Sequence, residues 1–82
     1  MTTVTLYSRP ECHLCEQARR ALLALREEGR RFRLREVDIE NDENLLRTYL
    51  ERIPVIEIGG EIVSELAPDL TALRSRLDTV AA

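Results

Sequence analysis

The sequence predicts an α/β fold, a small mixed sheet of four strands with three helices covering both of its faces. Strand-like and helix-like segments follow one another along the 82 residues in the order β-α-β-α-β-β-α. The first β-α-β unit predicts two parallel neighbouring strands joined by a right-handed crossover. A two-glycine turn joins the last two strands as an antiparallel hairpin, and the amphipathic helices must pack on the faces of the sheet. A chain of this length builds one modest core, so we expect a single domain over residues 1–82.

The first half of the chain predicts a strand, a long helix and a second strand. The stretch "TVTLYS" is β-branched at its start, as strands often are, and Pro10 interrupts it. From about Cys12 to Glu28 the apolar residues recur at helical spacing, and Gly29 is a suitable residue to end a helix. The stretch "FRLREVDI" alternates charged and apolar side chains, which predicts a strand with one face in water. Its arginines are typical of a protected sheet edge.

The second half predicts a short helix, a hairpin and a last helix. The stretch "NDE" supplies capping residues for the short helix. The apolar residues of that helix are Leu45, Leu46, Tyr49 and Leu50. The stretch "IPVIEI" predicts a third strand opened by a proline, "GGE" a tight turn and "IVS" a fourth strand. Pro68 and Asp69 begin a last helix with leucines along one side.

Composition and charge narrow the function classes. Apolar residues make up 44 % and charged residues 33 % of the chain, a balance typical of a globular protein. No apolar run approaches the roughly 20 residues of a membrane span, and the first residues lack the layout of a signal peptide, so we expect a cytoplasmic protein. The net charge of −3 favours neither nucleic acid nor a membrane as a partner. We interpret the arginine-rich "RRFRLRE" as a solvated edge strand rather than an anion-binding patch. We also expect the protein to be a monomer.

Both cysteines lie in the stretch "YSRPECHLC", where the first strand leads into the first helix. Residues three apart share a helix face, so the sulfur atoms of Cys12 and Cys15 come within bonding reach. A thiolate at Cys12 would lie at the positive end of the helix dipole, which lowers the pKa of the thiol and makes it nucleophilic. Cys15, one turn further into the helix, suits the resolving role in disulfide exchange.

The cysteine pair has other interpretations. Two small thiols could simply fill space between the strand and the helix. A structural zinc site needs four ligands, and Cys12, His13 and Cys15 offer three at most, so we expect no resident metal ion. His13 is either an exposed residue near the site or, when protonated below about pH 6.5, a positive charge that favours the Cys12 thiolate.

These residues resemble the glutaredoxin-like branch of the thioredoxin superfamily. The likeness rests on "YSRPECHLC" after the first strand and on "RIPVIEIGGEIV" further along, and it covers nearly the whole chain. It implies a thioredoxin-like fold of the glutaredoxin type, with strand order 2-1-3-4. It also implies that Cys12 is the exposed nucleophile, that Cys15 resolves the mixed disulfide, and that Arg9 helps to hold the thiolate.

The resemblance also implies where a substrate binds. In that family the residue before a cis-proline offers its backbone to a bound peptide or to glutathione, and Ile53 and Pro54 match that position. Arg52, beside this pair, either adds positive charge to the site or is a solvated side chain. Exposed apolar surface near Leu14 and Ile53 would dock a partner. The implied activity is reduction of protein disulfides or glutathione mixed disulfides, with glutathione or thioredoxin reductase as the electron donor and no bound cofactor.

Two departures from the family pattern concern glutathione. Glutaredoxins usually have C-P-Y-C, whereas His13 and Leu14 lie between the cysteines here. Where glutaredoxins carry Gly-Gly followed shortly by Asp, this chain has "SELAPD", which is slightly closer to the S-G-F-R-P-D of ribonucleotide-reductase redoxins. Tyr49 to Val55 match the Y-x-x-R-I-P-V of small glutaredoxin-like proteins. Fold likeness alone does not determine the electron donor.

Two binding functions are the alternatives to an oxidoreductase. Small copper carriers also place C-x-x-C where a loop meets a helix, although their element order is β-α-β-β-α-β. An iron–sulfur carrier would bridge two chains through Cys12 and glutathione. The sequence therefore predicts a dithiol oxidoreductase first, and a soft-metal or iron–sulfur carrier as the alternative.

Overall fold

A computed structural model describes residues 1–81 and shows the predicted order of strands and helices. The strands are β1 (Thr3–Ser8), β2 (Arg33–Asp38), β3 (Val55–Ile58) and β4 (Glu61–Glu65). The helices are α1 (His13–Glu27), α2 (Glu43–Tyr49) and α3 (Leu70–Ala81), with a turn of 3₁₀-helix at Ile39–Asn41 just before α2. Within this described range no helix has both the length and the apolar composition needed to cross a bilayer.

The four strands form one sheet in the order β2-β1-β3-β4, which confirms the order that the resemblance implied. Strands β1 and β2 are parallel, and β3 pairs antiparallel with both β1 and β4. β2 is therefore an edge strand, as its alternating arginines predicted. The register places Val55, at the start of β3, opposite Tyr7, near the end of β1. The turn before β3 thus lies at the end of the sheet where α1 begins.

The hairpin between β3 and β4 turns at two glycines. Gly59 and Gly60 have φ of +58° and +88°, the two positive values that a type I′ turn requires and that glycine adopts without strain. Strand β4 is longer than the predicted "IVS", because Glu61 and Glu65 also pair with β3. The partner of Glu65 is Val55, so Glu65 lies at the same end of the sheet as the cysteines.

Helices cover both faces of the sheet, as the layering of the elements predicted. Helices α1 and α3 pack on one face and bury the larger core. Its members are Val4, Leu6, Ala18, Leu22, Leu25, Phe32, Ile56, Ile58, Leu73 and Leu77. On the other face α2 and the 3₁₀ turn pack around the buried residues Cys15, Ile39, Ile53 and Val55. Cys15 is therefore part of a core as well as of the cysteine motif.

Local sequence determines where the helices begin and end. Asp42 caps α2, because its carboxylate accepts backbone N–H groups of the first turn. Helix α1 ends in a Schellman motif, in which Gly29 has φ of +102° and donates its N–H to the Arg26 carbonyl. The prediction of a helix from Cys12 to Glu28 is one residue too long at each end. These two residues are the caps of α1 rather than members of its terminal turns.

Candidate active site

The two cysteines are bonded to each other at the N-terminus of α1. Cys12 is the N-cap residue, with φ of −107° and ψ of 107°, and its Sγ accepts the backbone N–H of Cys15 at 3.2 Å. The Cα atoms of the pair are 5.2 Å apart, within the usual range for a disulfide. The chain enters this turn through Glu11, whose φ of +59° lies in the left-handed region. The structure therefore brings the two sulfur atoms together, as their spacing predicted.

The two sulfur atoms differ in access. The Cys15 side chain is 1 % exposed and lies among Ile39, Ile53 and Val55. Cys12 packs against the same cluster but is only half-buried. The Cys12 side chain is therefore more accessible from solution than that of Cys15.

Hydrogen bonding at the start of α1 favours a thiolate at Cys12. The N-cap position places Sγ over backbone N–H groups that have no carbonyl partner within the helix. The Cys15 N–H donates to Sγ in the disulfide form, and the same donor would stabilise a negative charge after reduction. The helix dipole acts in the same direction. We expect both effects to lower the pKa of the Cys12 thiol in the reduced protein.

Arg9 and His13, the two predicted supports of the thiolate, flank Cys12 in the chain. The Arg9 guanidinium forms an ion pair with Glu40 at 2.8 Å, and the two side chains are 42 % and 40 % exposed. Because a carboxylate balances much of its charge, Arg9 exerts a weaker field on a Cys12 thiolate than a free guanidinium would. His13 is exposed, and its Nε2 lies 3.2 Å from Nε2 of Gln17, one turn along α1. The thiolate-supporting roles of Arg9 and His13 stay predictions.

The turn at Ile53 and Pro54 lies against the cysteine pair, and the peptide bond between these two residues is cis. The Ile53 N–H donates to the Tyr49 carbonyl at 3.0 Å. The Ile53 carbonyl, by contrast, accepts no hydrogen bond from the backbone of residues 1–81. Backbone pairing with a substrate at this predicted position would therefore use the carbonyl of Ile53 and not its N–H.

The exposed apolar surface near the site differs from the prediction. Ile53 is only 8 % exposed, because its side chain packs into the core beside Cys15. Leu14 is 39 % exposed, as expected, and Leu66, in the loop after β4, is 51 % exposed. The Leu66 N–H donates to the Arg52 carbonyl at 3.1 Å, which holds this loop beside the turn that precedes β3. No pattern in "SELAPD" indicated that contact.

A stack of side chains connects the turn before β3 to the rest of the fold. The rings of Tyr7 and Tyr49 stack with their centroids 4.6 Å apart, and the Arg52 guanidinium lies 5.2 Å from the centroid of the Tyr49 ring. Arg52 also donates to the Glu65 carboxylate, from Nη2 at 2.7 Å and from Nε at 3.1 Å. The hydrogen bond from Arg52 lowers the pKa of Glu65. The Y-x-x-R-I-P-V pattern contained Tyr49 and Arg52, but only the folded chain shows that Glu65 is their partner.

A second ion pair ties α1 to the edge strand. Arg19 donates from Nε to the Glu36 carboxylate at 2.8 Å, and the buried Ser8 hydroxyl donates to the same group at 3.2 Å. The hydrogen bond from Arg19 lowers the pKa of Glu36. Arg19, Glu36 and Ser8 line one pocket together with Arg9 and Pro10 of the cysteine motif. Both arginines of this pocket are therefore paired with carboxylates, whereas Asp38, which also lines it, has no ion pair within residues 1–81.

Few side chains here could bind a metal ion. Within residues 1–81 no three side chains among His, Cys, Asp and Glu are grouped as metal ligands. After reduction, Cys12 and Cys15 alone would offer soft thiolate donors of the type that Cu(I) accepts. A carrier function would therefore depend on the same two residues as an oxidoreductase function.

Known proteins share both the sequence pattern and the fold. The profile of a family described as "Glutaredoxin-like domain" matches residues 3–79. The chain belongs to the glutaredoxin-like family. A crystal structure of a protein from X. campestris is 36 % identical, with a TM-score of 0.73, and the match covers 93 % of this chain and 96 % of that one. A solution structure of a Nitrosomonas europaea protein is 26 % identical, with a TM-score of 0.76 and coverage of 92 % and 89 %.

The oxidised thioredoxin of Plasmodium falciparum has the same type of fold as this glutaredoxin-like chain. Its TM-score is 0.64 at 14 % identity, and the match covers 99 % of this chain and 82 % of that one. The thioredoxin-like fold implied by the resemblance is thereby confirmed. No protein with a curated description matches the chain. Family, fold and the Cys12–Cys15 pair together support a thiol redox role.

Proposed function

We propose that this glutaredoxin-like protein is a dithiol thiol–disulfide oxidoreductase. The observation that carries the proposal is the unequal cysteine pair at the start of α1. Cys12 is half-buried and its Sγ accepts a helix N–H, whereas Cys15 is 1 % exposed. A pair placed in this way has one sulfur that attacks a substrate and a second that acts only on the first.

The proposed reaction has two exchange steps. First, the Cys12 thiolate attacks one sulfur of a substrate disulfide, and the other substrate sulfur leaves as a thiolate that takes a proton from water. Second, Cys15 attacks Sγ of Cys12, breaks the mixed disulfide and gives its proton to the departing substrate thiolate. The substrate gains two electrons and two protons, and the protein is left with the Cys12–Cys15 disulfide.

The surroundings of the pair supply the remaining parts of the proposal. The Ile53 carbonyl would accept an N–H from the backbone of a bound substrate, in the manner of one strand pairing with another. Arg9 and His13 would add positive charge near the thiolate, with the Arg9 contribution reduced by Glu40. Glutathione or thioredoxin reductase would return the electrons. A cytoplasmic location fits such a protein, because thiols are kept reduced there.

Re-reduction of the oxidised protein tests the proposal and identifies the electron donor. NADPH consumption is followed with glutathione plus glutathione reductase and, separately, with thioredoxin reductase alone, with Cys12→Ser as the control. Turnover with either donor that is lost in Cys12→Ser supports the proposal. Absence of turnover with both donors, while the reduced protein binds Cu(I) through its thiols, would favour the soft-metal carrier. A brown product on anaerobic reconstitution with iron and sulfide would favour the iron–sulfur carrier.

A trapping experiment tests the roles of the two cysteines. In Cys15→Ser the second step cannot occur, so we expect a stable mixed disulfide between Cys12 and the substrate, visible as an added mass. In Cys12→Ser the buried Cys15 should form no such adduct under the same conditions. Equal adduct formation by both variants would contradict the division of roles.

A further inference from the structure

We propose that Glu65 determines the substrate charge preference of this site, because its ion pair with Arg52 removes a free positive charge beside the substrate-binding turn. The preferred substrates are then disulfides whose flanking groups are cationic, rather than anionic disulfides such as that of glutathione. This inference rests on the proposed exchange at Cys12 and adds to it the chemical class of the substrate.

The first observation is that Arg52 already uses the Nε–Nη2 edge of its guanidinium to bind a carboxylate of this chain. Its Nη2 and Nε both donate to the Glu65 carboxylate, and its guanidinium carbon lies over the Tyr49 ring, 5.2 Å from the centroid. Arg52 precedes Ile53, and the Leu66 N–H, next to Glu65 in the chain, bonds to the Arg52 carbonyl. The ion pair is therefore held at the turn by both backbone and side-chain contacts. An anionic substrate would have to compete with Glu65 for the guanidinium.

The second observation is that two other arginines near the cysteine motif are neutralised in the same way. Arg9 pairs with Glu40, and Arg19 pairs with Glu36. Each carboxylate belongs to a different element from its arginine, so these pairs form only in the folded protein. Arg9, Arg19 and Arg52 are thus paired with carboxylates, whereas Arg35, whose charge acts on Tyr7, has no ion pair within residues 1–81.

The third observation concerns the charges that are not balanced. Glu11, directly before Cys12, is exposed and has no ion pair within residues 1–81. Glu16, one turn into α1, is likewise exposed and lies four residues from Arg20. Arg20 is about 12 Å further along the helix axis than Cys12, so its charge acts on the thiolate more weakly than that of Glu11. Asp38, which lines a pocket with Arg9 and Pro10, also has no ion pair within residues 1–81. The unpaired carboxylates of Glu11, Glu16 and Asp38 outnumber the unpaired Arg35 on this side of the fold, a balance that favours the approach of cationic substrates.

Three small disulfides test the charge preference directly. Cystamine carries ammonium groups, hydroxyethyl disulfide is neutral, and glutathione disulfide has more carboxylates than ammonium groups. The loss of free thiol from the fully reduced protein is followed with each compound at an ionic strength of ~10 mM, where screening extends over roughly 30 Å. We expect the rates to fall in the order cystamine, hydroxyethyl disulfide, glutathione disulfide. The differences should nearly vanish at ~1 M salt.

A matched pair of variants tests the role of Glu65. Glu65→Gln and Arg52→Gln both break the ion pair, but they leave opposite charges at the turn. Glu65→Gln should raise the ratio of the glutathione disulfide rate to the cystamine rate by about fivefold at low salt, and Arg52→Gln should not raise it. Each rate is divided by the rate that the same variant shows with hydroxyethyl disulfide. A change in the intrinsic reactivity of Cys12 then cancels from the comparison between variants. Glu28→Gln, which breaks the ion pair with Arg74 at the far end of α1, should leave the ratio unchanged.

Each outcome separates this inference from the proposed function. If the reduced protein does not react with hydroxyethyl disulfide, the exchange reaction itself is wrong. If it reacts with all three disulfides at equal rates, or fastest with glutathione disulfide, the charge preference is wrong while the oxidoreductase proposal stands. If both variants shift the ratio of the glutathione disulfide rate to the cystamine rate in the same direction, the charge at the turn does not set the preference. The Arg52–Glu65 pair then acts only by holding the turn in place, and this inference is wrong.

Discussion

Cys12 precedes α1 by one residue, and this position determines how its sulfur is hydrogen-bonded. The pattern predicted it inside the first turn, with its sulfur at the positive end of the helix dipole. Cys12 is instead the N-cap residue, and its sulfur accepts the Cys15 N–H. The helix start could be predicted to within one residue from the spacing of apolar side chains. The cap geometry could not, because it depends on the left-handed φ of +59° at Glu11, a residue with no intrinsic preference for that conformation.

The N-cap position predicts an acidic thiol at Cys12. In the reduced Cys15→Ser variant, which has a single thiol, we expect an apparent pKa below the value of about 8.5 for a free cysteine. The rate of alkylation by iodoacetamide as a function of pH measures this value. The urea-unfolded variant is the control and should give the free-cysteine value. A folded-state midpoint at or above about 8.5 would show that the helix N-terminus does not stabilise the thiolate.

Arg9 should contribute less to that pKa than its place in the motif suggests. Because Glu40 balances its charge at 2.8 Å, replacing Arg9 by Gln should raise the Cys12 pKa only slightly. Replacing Glu40 by Gln frees the guanidinium and should lower the same pKa. The alkylation profile of each variant, in the Cys15→Ser background, provides the measurement. A rise of about a unit or more in Arg9→Gln would mean that the ion pair does not offset the field of Arg9.

At the scale of elements, the turn between α2 and β3 is the part that the sequence described least. The strand after it was predictable from "IPVIEI", and the hairpin after that from two adjacent glycines, because both are local patterns. The contacts that fix the turn are not local. They join Tyr49 to Tyr7 in β1 and Arg52 to Glu65 at the end of β4. Such pairs become neighbours only through the register of the sheet, which no single segment encodes.

Tyr49 should therefore stabilise the fold through its ring rather than its hydroxyl. The ring stacks on Tyr7 and faces Arg52, whereas the hydroxyl makes no hydrogen bond within the described residues. We expect Tyr49→Ala to lower the free energy of unfolding by about 2 to 3 kcal/mol, and Tyr49→Phe to lower it by about 0.5 kcal/mol or less. Urea unfolding of the oxidised protein gives both values. If Tyr49→Phe lowers the free energy of unfolding as much as Tyr49→Ala does, the hydroxyl and not the ring is the stabilising group.

Over the whole molecule, ion pairs connect elements that are far apart in sequence. Glu28 at the end of α1 binds Arg74 of α3, and Asp78 of α3 binds Arg30 in the loop after α1. The layers of the fold could be predicted from apolar periodicity, because burial of apolar faces leaves few ways to stack three helices on one sheet. The ion pairs could not, since any of the chain's 12 basic residues could meet any of its 15 acidic ones before the fold is known.

These ion pairs make the stability of the protein depend on pH in a defined direction. Hydrogen bonds from arginines lower the pKa values of Glu28, Glu36, Glu65 and Asp78 in the folded chain. A carboxyl group with a lowered pKa stabilises the fold above its unfolded value, about 4.3 for Glu and about 3.9 for Asp, and this contribution is lost as the pH falls through the folded value.

We therefore expect the free energy of unfolding in urea to be nearly constant from pH 7 to about 5 and to decrease below about 4.5. Glu36 is the informative position, because it is partly buried and also accepts a hydrogen bond from the buried Ser8, so water screens its ion pair less than the others. The Glu36→Gln variant should be less stable at neutral pH and lose less stability on acidification. An equal loss in both proteins between about pH 5 and 3 would mean that the Arg19–Glu36 pair has no measurable effect on folding.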